Sequence, residues 1–286
     1  MAVCEVCFRH CEIEEGKRGF CGARICENGK VRALNYGKLT SLALDPVEKK
    51  PLKRFESGSL VLSCGSFGCN LRCPFCQNHE ISWSASALKL SESTRYVTPK
   101  QLAETALYYR DQGNIGIAYT YNEPLIGYEF VRDTAKLVHE AGMKNILVTN
   151  GTAELSVLKE LAPYIDAMNI DLKGFTDRYY EQVLKGNRQM VMRFIEEAVR
   201  NCHVELTVLI VPGENDSDEE MRELSSWVSQ LKDAEGNVIG ESIPLHISRF
   251  FPRFHMNDRQ PTRVSTIYRL KEIAEEKLKY VYTGNC

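Results

Sequence analysis

From residue 60 onward the chain alternates short apolar runs with amphipathic, capped segments, and this alternation restricts its possible folds more than any other feature. Strands are expected at "LVLSC" (60–64), "IGIAYT" (115–120), "NILVT" (145–149), "AMNIDL" (167–172), "VELTVLIV" (204–211) and "PLHIS" (244–248). Helical patterns occupy 99–112, 125–141, 153–161, 176–200 in two pieces broken near Gly186, 217–232 and 262–278. Thr98-Pro99 opens the first, Gly142 closes the second and Pro163 stops the third, while Ser217 and Glu220 have capping-box spacing. The strand runs are apolar enough to be covered on both faces, as in a parallel sheet built from βα units. The expected fold class is α/β, either an open doubly wound sheet or a partial barrel. In both, functional side chains gather at the C-terminal ends of the strands.

Residues 1–57 read differently, being rich in Cys, Gly and Lys with one short strand near 31–35. They are expected to form a small metal-binding module ahead of a barrel domain over 58–286. Lys and Arg total 36 against 38 Asp and Glu, a net charge of −2, so charge offers no reason to expect nucleic acid or an anionic membrane as partner. The longest strongly apolar run, "LTVLIVP", is far short of the roughly 20 residues of a membrane span. "MAVCEVCFRH" lacks the basic-then-apolar pattern of a secretory signal, so a cytoplasmic location is expected. In a reducing compartment the eleven cysteines point to metal or catalysis rather than disulfides, and their odd number points the same way.

The cysteines fall into two clusters. Cys69, Cys73 and Cys76 have C-x3-C-x2-C spacing directly after the first expected strand. Three soft thiolates on one short loop can hold three corners of an iron–sulfur cube and leave one iron open to a substrate or cofactor. A zinc knuckle borrowing His79, or unmetallated thiols, would use the same residues. Cys4, Cys7, Cys11 and Cys21 run C-x2-C-x3-C-x9-C with Gly16 and Gly19 in the long spacer. Four thiolates suit a closed zinc site that holds together a segment too short to build its own core. An auxiliary iron–sulfur cluster or free thiols fit the same pattern. His10 and Cys26 are substitute ligands, and Cys286 is one if the C-terminus folds back. Cys64 and Cys202 read as buried small hydrophobes.

"GCNLRCPFCQN" resembles the C-x3-C-x-aromatic-C signature of radical S-adenosylmethionine (SAM) enzymes, with Phe75 as the aromatic. The resemblance implies a 4Fe-4S cluster on Cys69, Cys73 and Cys76, chelation of SAM at the open iron, and reductive cleavage to a 5′-deoxyadenosyl radical. It also implies an electron donor such as flavodoxin or ferredoxin. "YTYNEP" is similar to the Gly-Gly-Glu-Pro motif, which implies that Glu123 accepts from the SAM ammonium, with Tyr121 and Asn122 in place of the glycines. A carboxylate favoured at a helix N-terminus is the competing account of Glu123. "VTNG" and "NIDLKG" resemble motifs of glycyl-radical activating enzymes such as pyruvate formate-lyase activase, implying that Asn150, Asp171 and Lys173 line the SAM site. Val148 stands where the activases carry Asp. His246 matches a histidine that reaches SAM or substrate there; an exposed ion pair for Asp171–Lys173 and a buried structural histidine for His246 are the plainer alternatives.

Over nearly its whole length, the order "GKRGFCGAR", "LNYGKLTSLALDPVEKKPL", "GCNLRCPFCQN", "TYNEP", "NIDLKG", "HISRFFP", "YVYTGN" resembles the AmmeMemoRadiSam-system radical SAM proteins, which are pyruvate formate-lyase-activating-enzyme-like. That resemblance implies a partial (β/α)6 barrel and a place beside AMMECR1-type and Memo-type proteins. It leaves two enzymatic readings open, hydrogen abstraction from an unidentified substrate and activation of a glycyl-radical enzyme. A non-enzymatic iron–sulfur or zinc protein is the third reading.

Overall fold

Residues 1–40 lack any sustained apolar period and form only short ribbons. β1 (Ala2–Val3) pairs with β2 (Glu12–Ile13), and β3 (Arg24–Glu27) with β4 (Lys30–Ala33), both antiparallel. The second pair turns on Asn28-Gly29, whose φ values of 53° and 70° are those of the tight hairpin turn this dipeptide favours. The computed structural model describes all 286 residues, and no helix in it is long and apolar enough to cross a membrane.

The main sheet has eight strands. β5 (Ser41–Pro46) runs antiparallel to β6 (Leu60–Gly65). From β6 the sheet continues parallel through β7 (Asn114–Tyr119), β8 (Lys144–Thr149), β9 (Ala167–Asp171), β10 (His203–Ile210), β11 (Leu245–Arg249) and β12 (Val281–Gly284). β5 and β12 are not bonded to one another, so the barrel stays open on one side. The six expected strands are β6 to β11. β12 and β5 extend the expected six-stranded barrel at its two edges.

Helices cover the outer face. α1 (His79–Ser82) and α2 (Ala85–Ser93) follow the central cysteine loop. α3 (Pro99–Tyr108), α4 (Tyr128–Glu140), α5 (Leu155–Leu161), α6 (Arg188–Ala198), α7 (Asp218–Ser229) and α8 (Val264–Glu275) complete the βα alternation. Thr98 and Gln101 form a full capping box at α3. At α7, Ser217 accepts from Glu220 N at 3.2 Å, but the Glu220 carboxylate turns away to accept from Phe175 N at 2.5 Å, so the expected box is only half made. The break near Gly186 separates a single π-turn (Tyr179–Leu184) from α6.

β5 and the segment after it lie within the residues expected to form a separate module, yet both join the barrel. Pro46 pairs with Leu60 at the start of β6, and the chain then turns inward. Val47 and Leu52 are wholly buried against Val61, Ala118, Ile146 and Ala167. Each such side chain stabilises the fold by about 1.5–3 kcal/mol, so this plug secures the barrel floor. Above the plug the interior turns polar. Thr207 donates to Asn169 Oδ1 at 3.0 Å, and Asn169 donates to Pro51 O at 2.8 Å. Glu205 accepts from the backbone N–H of Lys53 (2.9 Å) and Arg54 (2.7 Å).

Candidate active site

The three cysteines of the central cluster sit on the irregular loop between β6 and α1. Tertiary bonds, rather than repeating structure, hold the loop. Arg72 N donates to Leu184 O of the π-turn at 2.8 Å, Cys69 N to Cys21 O at 3.3 Å, and His255 N to Pro74 O at 2.8 Å. A turn from Cys76 N to Cys73 O (3.2 Å) brings the last two thiols together. Two N–H donors are aimed at Cys69 Sγ, Leu71 N at 3.4 Å and the Asn150 amide at 3.8 Å.

Burial dominates the acid–base character of these thiols. It pushes Cys69 well above its ordinary value, with the nearby Glu123 carboxylate adding to the effect. It pushes Cys73 up to about 12 against the pull of the Lys173 ammonium, and raises Cys76 as well. Such thiols stay protonated until a cationic core displaces their protons. Buried sulfurs approached by N–H donors match an iron–sulfur environment, where such bonds tune the cluster. The residues present therefore fit the group.

Glu123, at the end of β7, is buried and engaged at both oxygens. It accepts from Thr149 Oγ1 (2.7 Å), Asn150 N (2.8 Å) and Leu125 N (3.0 Å), tying the ends of β7 and β8 together. Burial pushes its pKa up to about 7 despite these bonds. The bond to Leu125 caps the short 3-10 turn Pro124–Gly127, so the helix-terminus account of Glu123 describes part of what it does. Asn150 donates to Asn70 Oδ1 at 3.0 Å, and Asn70 to Thr152 O at 3.0 Å, joining the cysteine loop to the β8 exit. Lys173 Nζ lies 2.7 Å from Asp171 Oδ2. Burial alone would lower the Lys173 pKa, but the adjacent Asp171 carboxylate holds it above its usual value. Phe75 is buried edge-on to Phe250, ring centroids 6.3 Å apart.

Cys69, Glu123 and Asn150 thus form one connected group, with Cys73, Asp171 and Lys173 beside it. His246 stands apart from both. Its Nε2 lies 2.6 Å from Glu205 Oε2, in the polar interior above the plug. His79 stacks on Phe254 at 4.1 Å instead of turning to the three thiols.

The N-terminal thiols Cys4, Cys7, Cys11 and Cys21 line one narrow cavity of about 10 Å³. They do not converge as ligands of a single metal ion, and neither does any other group of His, Cys, Asp and Glu. The substitute ligands are engaged elsewhere: His10 with Glu154 at 3.1 Å, Cys26 with Glu15 at 3.6 Å, and the exposed Cys286 with Gly284 O at 3.7 Å.

Asp45 and Lys50 also reach the site, through Tyr121, and carry no motif. Tyr121 holds a φ of 73°, a conformation natural to glycine, at the position where the resembling motif has its first glycine. Its hydroxyl reaches Asp45 at 2.9 Å, and buried Lys50 also pairs with Asp45 at 2.9 Å. The run Asp45–Lys50 contained the signal, two lysines following an acid in a segment with no helical period, but nothing local showed that it folds inward.

Residues 64–225 match the Radical SAM superfamily, a span holding the three-cysteine loop, Glu123, Asn150, Asp171 and Lys173. The chain belongs to the radical SAM superfamily. Membership makes it a radical SAM enzyme and implies a 4Fe-4S cluster and SAM as cofactors. This radical SAM chain is 41% identical over 285 residues to an uncharacterized protein of Methanocaldococcus jannaschii, covering 99% of this chain and 80% of that one. It is 25% identical over 222 residues to the pyruvate formate-lyase 1-activating enzyme of Escherichia coli (strain K12), 73% of this chain and 86% of the relative. Among solved structures, Streptococcus suis SuiB bound to S-adenosylmethionine superposes with a TM-score of 0.57 at 14% identity, over 76% of this chain and 48% of SuiB. The chain thus spans about half of SuiB, and that likeness speaks for the shared fold.

Proposed function

We propose that this radical SAM enzyme holds its cluster on Cys69, Cys73 and Cys76 and abstracts a hydrogen atom from a substrate in the barrel interior. The observation that carries the reading is the set of three buried thiols on one loop, with Leu71 N–H and the Asn150 amide aimed at Cys69 Sγ. When bound, the cluster supplies the electron that cleaves SAM to methionine and the 5′-deoxyadenosyl radical. The chain's own residues do the rest. Asn150 links the Cys69 sulfur to the end of β8. Glu123 keeps one acceptor position on Oε2 beyond its bond to Asn150 N, suited to an ammonium. Lys173, held charged by Asp171, offers a donor to a carboxylate. Phe75 and Phe250 pack beside the loop and keep water from it. His246, oriented by Glu205, faces the interior where a substrate would lie. Anaerobic protein with a reconstituted cluster should cleave SAM under reduction, and Cys73→Ala should not.

A second reading, activation of a glycyl-radical enzyme, draws on the Escherichia coli relative and on a pyruvate formate-lyase-activating enzyme of Clostridium pasteurianum, 28% identical over 170 residues. Val148 in place of the activases' Asp and the N-terminal cysteine ribbons weigh against it. Incubation with a candidate glycyl-radical enzyme, followed by EPR for a protein radical, separates the two. The motif order supports placement in the AmmeMemoRadiSam system, with flavodoxin or ferredoxin as donor and AMMECR1-type or Memo-type proteins as partners. Co-purification with such partners tests that placement.

A further inference from the structure

We propose that the buried ion pair of Asp45 and Lys50 positions the SAM-binding edge of the site: through the Tyr121 hydroxyl it fixes the turn 121–123, and with it the carboxylate that receives the SAM ammonium. The inference rests on the reading of Glu123 as the ammonium acceptor beside the cluster loop, and adds what holds that acceptor in place.

Lys50 belongs to the plug segment, yet it is a lysine only 2% exposed between the wholly buried Val47 and Leu52. Burial lowers its pKa, and the Asp45 carboxylate opposes that fall. Lys50 Nζ and the Tyr121 hydroxyl both meet Asp45 Oδ2 at 2.9 Å, while the exposed Lys49 takes Oδ1 at 3.0 Å. Lys50 Nζ also lies 4.8 Å from the Tyr121 ring centroid. An apolar pair of similar size would stabilise the barrel floor about as well as this ion pair. What the ion pair adds is a fixed place for one hydroxyl.

That hydroxyl governs a strained turn. Tyr121 keeps a φ of 73°, a conformation unfavourable to a residue with a Cβ, and such strain persists only where the surroundings enforce it. Its ring fits because residue 65 is glycine: a Cβ there would lie 2.8 Å from Tyr121 Cδ2. Ring and hydroxyl together hold the backbone left-handed.

The turn is bonded to both ends of the cluster loop. Tyr121 O accepts from the Asn78 amide at 2.8 Å, just after Cys76. Asn122 Oδ1 accepts from Ser66 N at 2.9 Å, and its amide donates to Gly68 O at 3.2 Å, just before Cys69. Glu123 N donates to the same Gly68 carbonyl at 3.3 Å. Glu123 therefore meets the β8 exit through its carboxylate and the cysteine loop through its backbone. Releasing Tyr121 lets the turn relax toward negative φ and shifts the Glu123 carboxylate. The three thiols keep their loop's own bonds to Cys21, the π-turn and His255.

The test uses anaerobically reconstituted full-length protein: wild type, Tyr121→Phe, Asp45→Ala/Lys50→Met and the triple combination. SAM dissociation constants are read from the EPR change as SAM is titrated into the reduced protein, alongside iron content and the SAM-free spectrum. Tyr121→Phe and the paired variant should each bind SAM about tenfold more weakly, the scale of one charge-assisted hydrogen bond misaligned. Iron content and the SAM-free spectrum should match wild type. The triple variant should bind no more weakly than Tyr121→Phe, because the pair acts through that hydroxyl. Affinity within about twofold of wild type in Tyr121→Phe, or losses that multiply in the triple variant, overturns the proposal. Iron lost in step with SAM affinity marks a purely structural role and overturns it too. Should the paired variant not fold, Tyr121→Phe decides alone, since it leaves the ion pair in place. Glu123→Gln that binds SAM as tightly as wild type overturns instead the reading of Glu123, and a wild-type spectrum that ignores SAM overturns that of Cys69, Cys73 and Cys76.

Discussion

The backbone N–H of Cys69 donates to the carbonyl of Cys21 at 3.3 Å, bonding the first cysteine of the central loop to the last of the N-terminal four. Gly68 makes the approach possible. Its φ is 94°, and a Cβ there would lie 2.6 Å from Ala23 Cβ and 2.8 Å from Cys21 O. Backbone and a buried methyl block that position, so a side chain cannot simply swing aside.

Gly68→Ala should therefore combine an unfavourable left-handed conformation with overpacking, at a cost of about 2–4 kcal/mol. Chemical denaturation measures the loss, and the iron content of the reconstituted variant should fall with it. Wild-type stability in Gly68→Ala would show that the two segments do not pack this closely.

Tyr121 holds a glycine-like backbone because its side chain is anchored. Its hydroxyl donates to Asp45, and Lys50 Nζ lies 4.8 Å from its ring centroid. Burial would raise the Asp45 pKa, but the bonds from Lys50, Lys49 and Tyr121 hold it well below the usual carboxylate range. Tyr121→Phe should cost about 1.5–3 kcal/mol through the lost bond to a charged acceptor. Tyr121→Gly relieves the backbone by about 1–2 kcal/mol but removes the same bond and the ring contact, so it should also destabilise. Thermal unfolding of the two variants checks both, and a Gly variant more stable than wild type contradicts the anchoring role.

Glu205 should dominate the acid limb of stability. Burial would raise its pKa, but His203, His246 and the N–H groups of Lys53 and Arg54 outweigh burial and push it down to about 2 from 4.5. A folded value below the unfolded one means stabilisation is complete above about pH 4.5 and lost as pH falls through about 2, a total of ~3 kcal/mol. Urea denaturation at pH 7, 4.5 and 3 should show a shallower acid decline in Glu205→Gln than in wild type. Parallel declines would contradict the assignment.

The strands and helices of the barrel were legible because a parallel sheet covered on both faces leaves long apolar runs with capped helices between them. The three-cysteine loop was legible for a related reason, since its ligands lie within eight residues and need no tertiary information to be grouped. β12 was missed because "VYTG" is short and follows α8 with little to mark a strand, and β5 because its Leu42 is half exposed. The Asn28-Gly29 hairpin was written locally in its dipeptide, yet only the strand near 31–35 was expected there and its partner β3 was missed. What no local pattern holds is the pairing of distant segments. The inward turn of Val47–Leu52, the Glu205 contacts to Lys53 and Arg54, and the abutment of Cys21 on Cys69 all join residues dozens to more than a hundred positions apart. His246 shows the limit from the other side, since its strand was placed correctly while its partner Glu205 was not foreseen.

The most direct measurement is EPR of the anaerobically reconstituted, reduced protein with and without SAM, with 5′-deoxyadenosine quantified in the same samples. A 4Fe-4S signal that shifts on adding SAM, together with 5′-deoxyadenosine from wild type and none from Cys73→Ala, is the predicted result. A signal indifferent to SAM, or 5′-deoxyadenosine formed equally by Cys73→Ala, would contradict it.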